Sequence, residues 1–459
     1  MGSSRIDSSL VMTEQRDVKL HIAMFPWLAF GHILPYLELA KLFAQKGHHI
    51  SFLSTPGIIQ RLPKLPPDLS PLINLVKLPL PSSEYNLPND SESTSDLPRE
   101  KVPLLKSAYD GLQDSLFDLL QSSKPDWLLF DFMAYWVPDK ARSINIRSAY
   151  FSIFNAAALG FVGAEIPDSR TEPEDFVIPP KWVPFPSKVA FRKFEISRII
   201  DDIISVGYRI AKSLRGCDVV AVRSCWELES EWLNLMGHIL GKPVLPIGQL
   251  PPEPCVGEDD DSWRSIKDWL DVQPKRSVVY VAFGSEAVPS QGELNEIALG
   301  LELCGLPFFW VLKADLSPVE LPTRFEGRTR GRGIVRRSWA PQLKILGHDS
   351  VGGFLTHSGW SSVVEALQFG IPLLLLPFTN DQGLNVRVLE EKMIGYSVPR
   401  DENDGSFTRE SVSESLKMVL EKEEGKLYRD KAKEMSPIFG DKGAQSKYVD
   451  DFLDYLKPH

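Results

Sequence analysis

A rhythm of short apolar runs constrains this chain more than any other feature of its sequence. Runs rich in Val, Ile, Leu and Phe recur along it, separated by amphipathic stretches of roughly 10 to 20 residues. Such runs fit strands buried on both faces, and the stretches between them fit covering helices, as in parallel sheets. The fold class is therefore α/β. In the first half the spacing predicts strands at 18–25, 50–54, 73–78, 127–131, 148–154, 219–223 and 244–247. In the second half it predicts strands at 277–283, 308–312, 333–337, 352–356 and 373–378.

Between the two series lies a linker candidate, residues 246–262, with Pro246, Pro251, Pro252 and Pro254 followed by Glu258, Asp259, Asp260 and Asp261. Proline stiffening and like-charge repulsion favour an extended, exposed connection there. The expected division is one α/β domain over residues 1–248 and a second over 249–439. Val449, Phe452, Leu453 and Leu456 recur at helical spacing, so segment 440–459 is expected to dock as a helix on the first domain. Segments 80–102 and 167–186 read as long loops, either walls of a binding site or surface excursions.

Composition removes several function classes. Lys and Arg number 51 against 61 Asp and Glu, a net charge of −10, which argues against a nucleic-acid partner. A small anion held by backbone amides is still allowed. Cys217, Cys225, Cys255 and Cys304 form no C-x-x-C pair and have no His at zinc-ligand spacing, so neither a structural disulfide nor a metal site is expected. The first 17 residues are polar, and the apolar stretch 20–30 is broken by His21 and Pro26. That pattern lacks a secretory core and points to a reducing, cytoplasmic setting. Ile6 stands where myristoylation wants Ser or Thr. No apolar run reaches the roughly 18 to 20 residues that span a bilayer.

Open α/β sheets bind ligands outside the carboxyl ends of their strands, so the residues just after each strand carry the information. In the first half His32 follows the turn 25–31 at the entrance of a helix, and Asp131 ends the strand 127–131. A helix N-terminus disfavours a positive charge, and an Asp bonded to one ring nitrogen would prepare the other to take a proton. Either residue alone is more often a cap or a packing residue; the pair at equivalent strand ends makes a dyad plausible.

In the second half Thr356-His357-Ser358-Gly359-Trp360-Ser361-Ser362 is a polar turn running into a helix. Its free backbone N–H groups, with His357 and Ser362, form a diphosphate site that needs few cations. Ser285 offers a further hydroxyl from the neighbouring strand end, and the Glu365 carboxylate could accept both hydroxyls of a ribose. By itself this fragment is also an ordinary capped helix. The dinucleotide-binding, P-loop and nucleophile-elbow fingerprints are all missing from the chain.

Residues 339–382 resemble the signature box of plant UDP-sugar-dependent glycosyltransferases of small molecules, glycosyltransferase family 1. The box opens Trp339-Ala340-Pro341-Gln342, passes through His357, Gly359-Trp360 and Glu365-Ala366-Leu367, and ends Asp381-Gln382. The resemblance extends to the Gly31-His32 turn, Asp131 and the strand before Ser285. It implies the GT-B fold, two Rossmann-like domains facing across a cleft, with the acceptor held mostly by the first and the donor by the second. It also implies inverting transfer from a UDP-sugar co-substrate, with no cofactor or metal. His32 would be the base and Asp131 its support. Trp339 would stack on uracil, the Ala340 backbone would read the uracil edge, and Gln342 would lie near the ribose held by Glu365. His357, Ser362 and Ser285, with the amides around Gly359, would bind the diphosphate. Trp360, Asp381 and Gln382 would meet the sugar, and Gln382 leans toward UDP-glucose, although UDP-rhamnose and UDP-xylose users share it. Two positions depart from the pattern: Ser361 stands where Asn is usual, which puts one phosphate contact in doubt, and Ser358 where Cys is usual.

The passage 26–32, with 53–56 and 59–65, looks like the branch that extends sugar chains on terpenoid or flavonoid glycosides. Phe30, Phe132, Trp136, Phe154 and Phe378 sit near strand ends and are candidates to line the acceptor pocket. The expected reaction is glucosylation of a sugar 2-hydroxyl on a plant glycoside. Rhamnosyl transfer and direct glucosylation of an aglycone are its alternatives, and a binder without turnover is the alternative of a different class.

Overall fold

The computed structural model describes residues 18–458 except 89, 164–169, 254–260, 285, 286, 288 and 313–319. Its first sheet contains β1 (His21–Phe25), β2 (His49–Ser54), β3 (Ile73–Lys77), β4 (Trp127–Phe130), β5 (Arg147–Ser152), β6 (Val219–Val222) and β7 (Val244–Pro246). They lie in the order β3-β2-β1-β4-β5-β6-β7, all pairs parallel. The second sheet contains β8 (Val278–Ala282), β9 (Phe308–Val311), β10 (Gly333–Arg336), β11 (Val351–Thr356), β12 (Leu373–Leu375) and β13 (Gly395–Ser397). It is also parallel, in the order β10-β9-β8-β11-β12-β13. These are the two Rossmann-like bodies of a GT-B fold.

Each predicted apolar run holds a strand, as expected of runs buried on both faces. The addition is β13, whose three residues Gly-Tyr-Ser form no apolar run and pair with β12 at the sheet edge. Strand order reverses between β1 and β4 in one sheet and between β8 and β11 in the other. These crevices are where a ligand fits between diverging loops, and both candidate turns stand at them.

Segment 246–253 differs from the exposed linker expected. Ile247, Gln249 and Leu250 are buried, and the Gln249 N–H donates to Gln445 Oε1 at 2.6 Å. Gly248 has φ +81°, a left-handed conformation that favours glycine, and a Cβ there would lie 2.3 Å from Gln445 Oε1 and push aside the amide that accepts the Gln249 N–H. Proline and charge content set the expectation; the apolar Ile247 and Leu250 decided the outcome by joining the first core. The acidic residues Glu258, Asp259 and Asp260 lie outside the described residues, and Asp261 begins the helix Asp261–Asp271.

The helix Lys442–Leu456 returns to the first body. Asp441 caps it, and Val449, Phe452, Leu453 and Leu456 enter the core beneath β1 to β7, each burial worth about 2 kcal/mol. The Trp127 indole N–H donates to the Leu456 carbonyl at 2.8 Å. Of the two long loops, segment 80–102 contributes Thr94, Leu97 and Arg99 to the wall of the cleft. The described part of 167–186 folds against the first body instead. There Arg170 lies over the rings of Phe161, Phe176 and Trp182.

Candidate active site

The helix Phe30–Gln45 buries Ile33, Tyr36, Leu37, Ala40 and Phe43 against the first sheet, which fixes its rotation and leaves His32 at the cleft end. Register pairs Phe25 with Phe130, so Asp131 emerges beside the turn that leads to His32. His32 Nδ1 and Asp131 Oδ2 are 2.7 Å apart. The same oxygen accepts the Trp27 N–H at 3.1 Å, and Oδ1 accepts the Phe132 N–H at 2.8 Å. Asp131 is fully buried, and its backbone donors hold the carboxylate in one orientation. A ring that donates from Nδ1 to a carboxylate presents Nε2 as its basic atom. Phe132 and Phe154 pack on the imidazole, at 5.4 and 5.7 Å between ring centroids.

Of the aromatic acceptor candidates, Phe30, Phe132, Phe154 and Phe378 border the cleft. Trp136 does not. Its indole N–H donates to Asp110 Oδ1 at 3.0 Å and its ring packs against Phe25 and Phe117, which places it in the core. A tryptophan near a strand end satisfies its polar edge wherever a carboxylate is offered, and here that is Asp110, which does not line the cleft.

Across the cleft, β11 ends at Thr356 beside Ala282 of β8. Ser358 follows with φ +69° and no exposure, a left-handed conformation that costs a serine about 1 kcal/mol. Its N–H donates to Thr356 Oγ1 at 3.3 Å and its carbonyl accepts from Asn385 Nδ2 at 3.1 Å, which holds the bend. Gly359 then starts the helix Trp360–Leu367 without a side-chain cap, so the first N–H groups point outward for a ligand. The His357 ring is gripped by glycines: a Cβ on Gly284 would lie 2.8 Å from its Cε1, and one on Gly359 2.5 Å from its Nε2. Burial lowers the His357 pKa to about 4, so it is neutral at pH 7.

Deeper in this half, Gln342 Nε2 donates to Glu365 Oε2 at 2.6 Å and lies 3.5 Å from Ser362 Oγ. Tyr280 supplies a hydroxyl to Gln342 Oε1 at 3.0 Å. Burial pushes the Glu365 carboxyl above its usual range. Trp339 is 77% exposed, an open aromatic face at the cleft wall, beside the buried Ala340. At the other end Asp381 Oδ2 accepts from Asn385 Nδ2 at 2.9 Å. Gln382 Oε1 accepts the N–H groups of Phe378 and Thr379 at 2.8 and 3.0 Å, so that side chain offers a ligand its Nε2.

Two expected donor residues line the cleft and also make structural hydrogen bonds. The Trp360 side chain packs in the second core and donates from Nε1 to Gln249 Oε1 at 3.1 Å. It pins the crossing segment, and the apolar face of the helix turns the indole inward. Ser361 Oγ accepts from Arg223 Nη1 at 2.8 Å. Ser285 lies outside the described residues.

Sequence reasoning missed Tyr280, Arg223 and Asn385. Arg223 follows β6 directly, as Asp131 follows β4, so the rule of reading strand ends would have found it. Asn385 bonds to Asn155 of the first body at 2.8 Å, a contact with no local sequence signal.

A single cleft of about 1940 Å³ joins His32 to Trp339, Ala340, Gln342, His357, Gly359, Trp360, Ser361, Ser362, Glu365, Asp381 and Gln382. Among the described residues no three His, Cys, Asp or Glu side chains gather as a metal site would require, and no helix is long and apolar enough to cross a membrane.

Two parallel α/β bodies with a His–Asp pair on one side of a cleft and an uncapped helix start on the other fit the GT-B glycosyltransferase class. The family model described as UDP-glucoronosyl and UDP-glucosyl transferase matches residues 212–447, and the chain belongs to that family. It is 54% identical to UDP-glycosyltransferase 91A1 of Arabidopsis thaliana, over 95% of this chain and 97% of that one. It is 44% identical to the soyasaponin III rhamnosyltransferase of Glycine max, over 99% of both. Among solved structures, a Glycyrrhiza uralensis enzyme complexed with glycyrrhetinic acid 3-O-monoglucuronide superposes with a TM-score of 0.80, at 23% identity and 96% of both chains. A Polygonum tinctorium UDP-glucosyltransferase superposes at 0.78, with 26% identity over 96% of this chain and all of that one. The chain is a plant UDP-glycosyltransferase, an inverting enzyme that moves a sugar from a UDP donor to a secondary metabolite.

Proposed function

We propose that this enzyme glucosylates a hydroxyl on the sugar of a plant glycoside, most naturally the 2-hydroxyl, with UDP-glucose as donor. The observation that carries the reading is the single cleft joining the His32–Asp131 pair to the uncapped helix start. In the proposed route His32 Nε2 takes the proton of the acceptor hydroxyl as its oxygen attacks the anomeric carbon. The bond from that carbon to the diphosphate oxygen breaks on the opposite face, and UDP leaves with the electron pair. Asp131 balances the imidazolium. The helix amides, His357 and Ser362 hold the growing charge on the diphosphate, so the route calls for no cofactor. Trp339 stacks on the base, Glu365 and Gln342 take the ribose, and Asp381 with Gln382 Nε2 meets the sugar.

A glycosylated acceptor is favoured by the lining of the acceptor half of the cleft. Its first-domain wall mixes Phe30, Phe132 and Phe154 with Arg99, Lys106 and Asp202, suiting an apolar aglycone that carries a sugar. Relatives named for glycosides, the soyasaponin III rhamnosyltransferase and the mogroside IIIx synthase, support the same class of acceptor. The former also favours UDP-rhamnose as a second reading for the donor. Mass spectrometry of products from UDP-glucose, UDP-rhamnose and UDP-galactose, each offered paired aglycones and monoglucosides, tests both points. Glucose transfer to monoglucosides is expected to dominate. Preferred turnover of free aglycones would overturn the acceptor assignment, and exclusive use of UDP-rhamnose the donor assignment.

A further inference from the structure

We propose that Arg223 is a further donor-binding residue whose guanidinium, aimed by Ser361, contacts the diphosphate of the bound UDP-sugar. The inference rests on the donor reading above.

Arg223 leaves the carboxyl end of β6 in the first body and crosses to the second. Its Nε donates to the Gln249 carbonyl at 2.7 Å, its Nη2 to the Leu250 carbonyl at 3.5 Å and its Nη1 to Ser361 Oγ at 2.8 Å. Ser361 is the second residue of the uncapped helix Trp360–Leu367, so the guanidinium sits where that helix offers its N–H groups. Arg223 is 1% exposed yet borders the cleft.

Its charge lacks a close counter-ion. Among the described residues no carboxylate lies within 4.0 Å; Glu365 and Glu38 act on it only from farther away. Burial lowers its pKa to about 10, which still leaves it protonated at neutral pH. A buried cation without a partner is costly, and structures tolerate one chiefly where an anion arrives. Nη1 and Nη2 each carry two N–H groups and each makes one bond to the protein, so each has an N–H to give. A guanidinium fork fits phosphate oxygens better than any other side chain. The short Ser361 leaves room for it, where a longer amide side chain would occupy the helix start itself.

The alternative is a latch that only ties segment 249–250 to the second body. Calorimetric titration of the full chain with UDP and with uridine separates the two. In Arg223→Gln the Kd for UDP is expected to rise about tenfold or more, with uridine binding unchanged. Ser361→Ala, which releases the guanidinium from its aim, should show a smaller loss confined to UDP. Equal weakening of both ligands would mean a latch alone, and an unchanged UDP to uridine ratio would remove Arg223 from the site. If Arg223→Gln does not fold, Arg223→Lys keeps the charge without the fork and carries the same test. A wild-type protein that fails to bind UDP would overturn the donor reading itself, which is a separate outcome.

Discussion

The two switch points share a topology and differ in chemistry. At the first, a histidine at the edge of the cleft meets a fully buried carboxylate, the pairing on which the proposed proton transfer rests. At the second, a neutral His357, hydroxyls and helix amides face the cleft, and a buried cation, Arg223, reaches Ser361 from the other body. The same strand-turn-helix unit, with no side-chain cap at either helix start, thus carries a His–Asp pair at one switch point and a glycine-flanked polar turn at the other. The net charge of −10 sharpens the contrast, because a phosphate group can settle only where local dipoles outweigh the overall field.

If that division of labour is right, damage to one half should leave the other's task intact. His32→Ala is expected to lower kcat by about a thousandfold while UDP affinity by calorimetry stays as in wild type. A parallel loss of UDP binding would break the contrast. Asp131→Asn should cost about a hundredfold in kcat, measured at saturating donor, because the histidine loses its counter-charge and its fixed orientation. On the other side, Trp339→Ala should weaken UDP by about thirtyfold through lost stacking, with kcat at saturation little changed. Gly359→Ala puts a methyl 2.5 Å from His357 Nε2 and should raise the UDP Kd about tenfold by turning the ring.

The smallest effect is on stability. His357 has its folded pKa depressed from 6.5 to about 4, so the unfolded chain binds the proton more readily. Its contribution to stability is complete above pH 6.5 and is lost as pH falls toward 4. Urea unfolding between those values should show a shallower pH slope in His357→Gln, which cannot take the proton. An identical slope would deny the ring its depressed pKa.

Much of this was legible in the sequence, for physical reasons that also explain what was not. Strands buried on both faces announce themselves as apolar runs, and the rule about strand ends led to His32, Asp131 and His357. It applied equally to Arg223, which the predicted strand 219–223 took in as its last residue. Trp136 and Trp360 look like ligand-facing aromatics in one dimension. Their indole N–H groups found partners in Asp110 and Gln249, and that choice depends on contacts between segments 26 and 111 residues apart. The three-residue β13 exists only through its pairing with β12, and the tie between Asn155 and Asn385 only once the two bodies are assembled.

The returning helix sets a schedule for biosynthesis. Its apolar residues Val449 to Leu456 belong to the core of the first sheet, yet they leave the ribosome about 200 residues after β7. At 5 to 20 residues per second that delay is on the order of 10 to 40 seconds. Throughout it the first body waits with Phe43 and Trp127 uncovered on one face, while the second is made and folds. The body made first is therefore the last to be finished, and a nascent chain halted within the second half presents an apolar face to chaperones in place of a completed domain.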